Sequence, residues 1–435
     1  MIYRPDLDNF DDALDSRDYR RHQPNRRQNN MSGRPVYKTA SSRKRRQARK
    51  MRRLRNRIVI VGCGILILLA VILLFTLMTK GCSKGGGNHG NISTQTIEQQ
   101  QASNPATNPA TEPVSSLPQD LQPTYFKTPV IKDDNTNGEL IYSIYVWNKT
   151  GYELFGSSDA QAQNYADTIN TLANRLSGLN VYDMVIPNHT EYGLPERFKS
   201  GEVTSTSQAD NIKKIYAALG DNVTPINAYN YLADHNTEYT YFNSDHHWTG
   251  LGAYYAYKAF ADTNELTALS LEDCAEQTID GFTGTFTYTT PYLKEDSVHY
   301  WELPYTASMD ITYASGEVYN YETPYYSAAA PGAYTYGVFL VGDNPLTVIK
   351  SSSEKAQAGK KIAIIKESYG NCLAPYFTNN YEEVHVIDFR DFRSTLGTDL
   401  KTYCTENDIT DVLFVNGVMS ANTQIQLDSM LGLVD

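Results

Sequence analysis

The sequence predicts an α/β domain built on a parallel sheet, held outside a membrane by a single N-terminal anchor. Three observations lead there: a charge split about one long apolar run, a polar stretch that cannot fold, and an alternation of strand and helix patterns toward the C-terminus.

Residues 1–57 hold 18 Lys and Arg against 6 Asp, a net charge of +12, whereas the rest of the 435-residue chain carries −23. Between the two lies "IVIVGCGILILLAVILLFTLM", Ile58–Met78, 21 residues without a charge. At about 1.5 Å per helical residue this run crosses the hydrocarbon core of a bilayer, roughly 30 Å thick. Residues 58–79 are therefore expected to form a transmembrane helix. A cleaved signal peptide fits less well, because the run exceeds the usual apolar region of about 7–15 residues and no small-x-small site follows it. The basic cluster Arg43–Arg57 is expected to stay in the cytoplasm, next to anionic lipid headgroups rather than nucleic acid. That orientation places the C-terminal part outside the cell membrane.

Residues 80–124 are rich in Gly, Ser, Thr, Asn, Gln and Pro and poor in large apolar side chains, so they read as a flexible tether. Residues 125–435 remain as one extracellular domain of ordinary to large size. It contains Cys274, Cys372 and Cys404, an odd number that shows no disulfide framework.

Within the domain "ELIYSIYVWN" (139–148) is strand-like, and 158–178 carries apolar residues at helical spacing behind a Ser158 or Asp159 cap. A buried strand follows at 180–188, then a helix in "SQADNIKKIYAALG", a strand leading into a short helix in "VTPINAYNYLA", and a helix in "GLGAYYAYKAF" that Thr249 can cap. The region 275–335 is Tyr/Thr-rich with hairpin spacing. After it come strand 360–368, a helical turn, strand "EEVHVIDFR", helix "STLGTDLKTYCTEND" and strand "ITDVLFVNG". Strand–helix–strand order implies a parallel sheet with helices on both faces, and a site at the C-terminal ends of its strands.

That rule singles out Ser368 and Asn416. Ser368 closes a strand where the chain turns toward a helix, which exposes its hydroxyl beside helix-start N–H groups; a serine there also serves as an ordinary helix cap. Asn416 ends its strand, where an amide could donate to an oxyanion, or could simply make a turn before Gly417. Serine chemistry needs an imidazole to take the hydroxyl proton and a carboxylate to hold the imidazole. The stretch "SDHHWTGLGAYYAY" supplies both in Asp245 and His247, which point the same way in extended chain. His246 is then expected to face the other way, as a structural or rim residue. Asp-His-His also occurs in metal-dependent phosphoesterases, but those need further spaced Asp and His ligands, and the sequence shows no second cluster. No metal and no cofactor are expected.

"SDHHWTGLGAYYAY", "FLVGDNPLTVIK" (339–350) and "KKIAIIKESYGNCLAPYF" (360–377) followed by "VHVIDFR" occur in this order over residues 126–435. Together they resemble the DHHW family. These are envelope proteins with an SGNH-hydrolase-like fold, similar to the components that O-acetylate alginate and other exopolysaccharides. The resemblance implies a three-layer fold, Ser368 as nucleophile, His247 as base and Asp245 as its orienter. It also implies a circularly permuted order, because here the Asp–His pair precedes the serine. Tyr369, Asn371 and Arg390 join Asn416 as oxyanion or substrate-binding candidates. Where the family tends to have Asp before the serine, this chain has Glu367, which changes how the loop is braced.

The function implied is O-acetyl transfer, or acetyl-ester hydrolysis, on an envelope or secreted polysaccharide through an acyl-enzyme. A donor outside the membrane requires a multi-pass membrane acyltransferase as partner, and tethering raises the effective concentration for the handover. The region 275–335 is assigned the role of lid and acceptor groove. The competing reading is a polysaccharide-binding module of the same fold that has lost catalysis.

Overall fold

The computed structural model describes residues 117–329 and 331–434, all within one unit, Asn108–Asp435. The basic tail, the expected span at 58–79 and most of the expected tether lie outside the described residues. Among the described residues no helix is long and apolar enough to cross a membrane.

The last part of the expected tether, residues 117–124, is docked rather than free. Leu121 is buried, and Asn230 Nδ2 donates to the carbonyls of Asp120 and Tyr125 at 2.8 and 2.9 Å. One apolar side chain and two saturated carbonyls are enough to fix a segment whose composition reads as linker.

Strands β1 (Glu139–Ile141), β2 (Ile144–Trp147) and β3 (Thr150–Glu153) form a small antiparallel sheet. The single strand expected over 139–148 is folded back on itself at Tyr142, whose φ of 54° is left-handed, with Ile141 opposite Ile144. Alternation then serves two clusters. Tyr145 and Trp147 pack on Phe198, while Ile144 and Val146 pack on Phe286 and Leu293.

Helix α1 (Asp159–Arg175) opens with a capping box in which Ser158 and Gln161 satisfy each other's backbone, a device that contributes about 1 kcal/mol. Its Tyr165, Ile169 and Leu172 are buried at helical spacing. The chain continues through β4 (Asn180–Ile186), α2 (His189–Gly193), α3 (Gln208–Ala217), β5 (Val223–Pro225), α4 (Ala228–Asp234) and α5 (Gly250–Thr263), the last capped by Thr249. A hairpin, β6 (Ala275–Phe282) with β7 (Asp296–Glu302), precedes β8 (Ala307–Thr312), β9 (Val318–Tyr321) and β10 (Leu346–Ser351). Then come β11 (Gln357–Lys366), α6 (Gly370–Phe377), β12 (Tyr381–Asp388), α7 (Phe392–Leu396), α8 (Leu400–Glu406), β13 (Asp411–Gly417), α9 (Val418–Ala421) and α10 (Gln424–Leu431). The one helix expected over 394–408 is two, because Gly397, with φ 69°, ends α7 in a left-handed cap.

The main sheet has eight strands in the order β5-β4-β13-β11-β12-β10-β8-β9. The first five are parallel and the last three antiparallel, so the sheet is mixed rather than purely parallel. The extra strands come largely from 275–335, so this region is part of the core and not a separable insertion. Helices cover the sheet in two packed groups, α1 with α3 and α10, and α5 with α4 and α6. At the centre, β11 pairs Lys366 with Val415 on one side and Asp388 on the other. The C-terminal ends of β11, β12 and β13 therefore line up on one edge.

Candidate active site

Ser368 sits on that edge, in the turn between β11 and α6. The turn is tight because Gly370 packs on its own strand: a Cβ there would lie 2.4 Å from Lys366 Cβ. Facing it, residues 242–247 form a short loop closed by the Tyr241–Trp248 bridge and by Phe242 N donating to His247 O at 3.3 Å. Trp248, fully buried, donates its indole N–H to Tyr369 O at 3.0 Å and so fastens this loop to the serine turn.

The side chains meet in series. Ser368 Oγ lies 2.6 Å from His247 Nε2, and His247 Nδ1 lies 2.6 Å from Asp245 Oδ1. The loop is bent, not extended, and the pair forms because Asp245 Oδ1 also accepts the His247 backbone N–H at 3.0 Å. The expectation that His246 faces away is therefore wrong. Its ring lies 3.8 Å from that of His247, centroid to centroid, and its Nδ1 is 3.0 Å from Thr285 Oγ1.

Burial disfavours charge on Asp245, yet the two imidazoles and the Thr285 N–H hold its carboxyl well below the usual carboxylate range. The same burial works against a charged His247, but Asp245, Glu367 and Asp343 raise it above the ordinary histidine value. His246 goes the other way, down to about 4, because burial and His247 both oppose its protonation. Two adjacent histidines are thus driven apart, one toward a strong base and one toward a neutral ring.

Several residues that build this site carry no local sequence signal. Asp296, at the start of β7, accepts from Asn243 N at 2.9 Å, Ser244 N at 2.8 Å and Ser244 Oγ at 2.6 Å, and so sets the loop's shape. Tyr336 stacks on His247 with ring centroids 4.3 Å apart and donates to Ser368 O at 3.2 Å. Glu153, at the end of β3, feels the charges of Asp245 and His247. Only the Tyr/Thr richness of 275–335 hinted at part of this set.

Most polar groups of the remaining candidates are engaged elsewhere, the exception being Asn371 Oδ1, which is buried with no partner among the described residues. Asn416, expected as an oxyanion or substrate-binding residue, is buried and donates to Tyr165 OH at 3.0 Å; its strand turns that side chain toward α1. Asn371 Nδ2 donates to Asp343 Oδ1 at 2.8 Å. Arg390 binds Asp388 at 2.6 Å and Asp343 at 2.7 Å, beside Lys366, which binds Asp343 at 2.8 Å. Tyr369 gives its hydroxyl to His246 O and its N–H to Glu367 Oε2. Glu367 spans the edge, accepting from Gly417 N at 2.8 Å, with its other oxygen 3.1 Å from Ser368 Oγ. By contrast, the Ser368 backbone N–H makes no hydrogen bond among the described residues.

Asp245, His246 and His247 offer ligand atoms within 4.8 Å of one another, a grouping that could hold a metal ion. Binding there would displace the contacts His247 makes with Asp245 and Ser368, so the donor set fits a proton relay better than a metal.

A serine presented after a central parallel strand and backed by histidine and aspartate defines the class, a mixed α/β fold with a serine–histidine–aspartate series at the C-terminal edge of its sheet. The chain belongs to the DHHW family: the family model described as DHHW protein matches residues 108–387. Its fold is similar to the crystal structure of a DHHW family protein from Eubacterium siraeum, with 30% identity, a TM-score of 0.59, and coverage of 68% of this chain and 97% of that one. It is also similar to Bacillus cereus PatB1, at 20% identity and TM-score 0.55 over 67% of this chain and 99% of that one. PatB1 with a sulfonyl adduct gives 19% identity and TM-score 0.54 over the same shares, 67% and 99%. A comparison with curated proteins finds no match.

Proposed function

We propose that the chain is a serine-dependent O-acetyltransferase, or acetylesterase, acting on an envelope or secreted polysaccharide. The observation that carries this reading is the 2.6 Å approach of Ser368 Oγ to His247 Nε2, with Asp245 2.6 Å behind the ring. Ser368 Oγ attacks the donor's acyl carbonyl while its proton passes to His247 Nε2; the tetrahedral intermediate then expels the donor oxygen, which takes that proton. In the second half an acceptor hydroxyl gives its proton to His247 as its oxygen attacks the acyl-serine carbonyl, and the intermediate expels Ser368 Oγ, which takes that proton back from His247. Asp245 stays ionised and stabilises the imidazolium. The free Ser368 N–H is the donor offered to the oxyanion.

The same proposal includes a permuted order of the SGNH-like elements, a membrane anchor at 58–79 with the domain outside, and a multi-pass acyltransferase as donor. Anionic lipid would meet the basic cluster Arg43–Arg57. A sugar-binding module without turnover is the second reading, favoured by one contact: Glu367 Oε2, 3.1 Å from Ser368 Oγ, competes with His247 for the hydroxyl proton.

A sulfonyl fluoride and an activated acetyl ester test both. Labelling of Ser368 and ester turnover that disappear together in Ser368→Ala support the enzyme reading. A full chain that neither labels nor turns over, yet binds glycan, sustains the second.

A further inference from the structure

The relay uses Asp245 and His247 and leaves His246 between them unused, yet the His246 ring is held in place. Its carbonyl accepts from Tyr369 OH, its Nδ1 lies 3.0 Å from Thr285 Oγ1, and the rings of Phe286 and Tyr369 stand beside it, 6.4 and 6.5 Å away between centroids. Proton counting assigns its tautomer. A hydroxyl has one proton, and Thr285 gives it to the ionised Asp245, whose Oδ2 lies 3.0 Å away. Thr285 Oγ1 can therefore only accept from His246, so Nδ1 carries the ring proton; Asp245 Oδ1, 3.6 Å from the same nitrogen, favours that arrangement too. Burial and the adjacent His247 keep the ring neutral, which leaves Nε2 with its lone pair. That atom has no hydrogen-bond partner among the described residues.

The direction of the lone pair follows from the same contacts. Both histidines turn Nδ1 toward Asp245 Oδ1, at 2.6 Å for His247 and 3.6 Å for His246, and the two rings lie 3.8 Å apart at 38°. Nε2 lies on the other side of each imidazole, so both Nε2 atoms face away from Asp245, on the side where Ser368 Oγ meets His247 Nε2 at 2.6 Å. Of the two rings it is His246 that opens outward, its side chain 29% exposed against 7% for His247. An acceptor that reaches the base from solvent therefore meets His246 at the rim. We propose that His246 positions the acceptor: its Nε2 accepts a hydrogen bond from one sugar hydroxyl while the neighbouring hydroxyl gives its proton to His247, so that the site selects a pair of adjacent hydroxyls over a lone one. The inference rests on the acyl-transfer reading for the acceptor's place in the reaction. Two acceptor nitrogens side by side match two adjacent O–H donors, whereas a lone alcohol leaves His246 Nε2 without its partner.

The test gives the full chain p-nitrophenyl acetate as donor and, at equal concentration, one of two acceptors: trans-cyclohexanediol with its hydroxyls on neighbouring carbons, or cyclohexanol. Acetylated acceptor is measured against free acetate. Both products come from one acyl-serine, so their ratio does not depend on how fast that intermediate forms. The diol should capture acetyl about five- to tenfold better than the lone alcohol, the worth of one hydrogen bond. In His246→Ala that preference should disappear, and in His246→Gln, whose amide oxygen can accept in place of Nε2, part of it should return. Labelling of Ser368 by the sulfonyl fluoride shows in each variant that serine and base are still assembled, and the comparison of the two acceptors on the unsubstituted chain stands whatever the variants do. No preference for the diol in the unsubstituted chain, an undiminished preference in a labelled His246→Ala protein, or an acyl-serine that passes acetyl to water alone would each overturn the proposal. A chain whose Ser368 neither labels nor acetylates would instead remove the acyl-transfer reading itself, and the acceptor role with it.

Discussion

Thr285 holds Asp245 twice, its backbone N–H donating to Asp245 Oδ2 at 2.7 Å and its hydroxyl to the same oxygen at 3.0 Å. The acid is therefore braced from a segment about forty residues downstream, and the close approach requires Gly284, where a Cβ would lie 2.3 Å from Asp245 Cβ.

That brace is testable by removing it in steps. Thr285→Val keeps the N–H bond and loses the hydroxyl, so ester kcat/KM should drop about three- to thirtyfold. Gly284→Val drives a side chain into Asp245, and turnover should fall by about a thousandfold or more while far-UV circular dichroism keeps the fold signal. Normal turnover in Gly284→Val would show that Asp245 need not stay where it is seen.

The two histidines should separate cleanly. His247→Ala should cost roughly 10³–10⁶ in turnover, whereas His246→Ala keeps most of it. Because Asp245 and its neighbours raise His247, kcat/KM should climb with pH through an apparent value above 6.5, as the imidazole loses its proton and becomes a base. Glu367→Gln removes one of those anions and should move the rise to lower pH. A pH profile unmoved by Glu367→Gln, or a larger loss at His246 than at His247, would reverse these assignments. Chelation by EDTA should leave turnover unchanged; recovery on adding zinc after chelation would point to the Asp245–His246–His247 metal grouping instead.

A third expectation concerns stability. Asp183, fully buried in β4, accepts from Tyr165 OH at 2.7 Å, while its other oxygen has no partner among the described residues. Burial pushes its carboxyl up to about 7, against the opposing Tyr165 bond. The folded chain thus holds this proton more tightly than the unfolded chain does, and stability falls as pH rises from the unfolded carboxylate range near 3.8 to about 7. Asp183→Asn should stabilise the domain by about 1–3 kcal/mol above that range and flatten this part of the pH dependence. Thermal melts at about pH 5 and pH 8.5 would show it; equal shifts at both would argue that Asp183 does not titrate there.

Much of the architecture was legible because it rests on local rules. Ser158 with Gln161 announces α1, Thr249 announces α5, and the runs Ile362–Ile365 and Val412–Val415 are apolar on both faces, as strands inside a parallel sheet must be. Where side chains obey two rules at once, the reading failed. The run 139–148 has strand character throughout, yet a left-handed Tyr142 folds it into a hairpin. Asn416 stands at the correct edge of the sheet, but the pleat turns it to Tyr165. Asp245 and His247 do meet, although through a bent loop and a backbone bond rather than through the alternation of an extended chain.

By itself the sequence determined the family, the α/β order and the identity of the serine, histidine and aspartate that come together, since each is written in contiguous residues with a characteristic pattern. Only the tertiary structure decided what surrounds them. Thr285, Asp296 and Tyr336 reach the site from segments well downstream of Asp245, and nothing in their own neighbourhoods marks them. Hydrogen bonds and burial act over a few ångströms in space, whatever the separation along the chain. The raised base and the low second histidine therefore exist only once the sheet has folded these segments together.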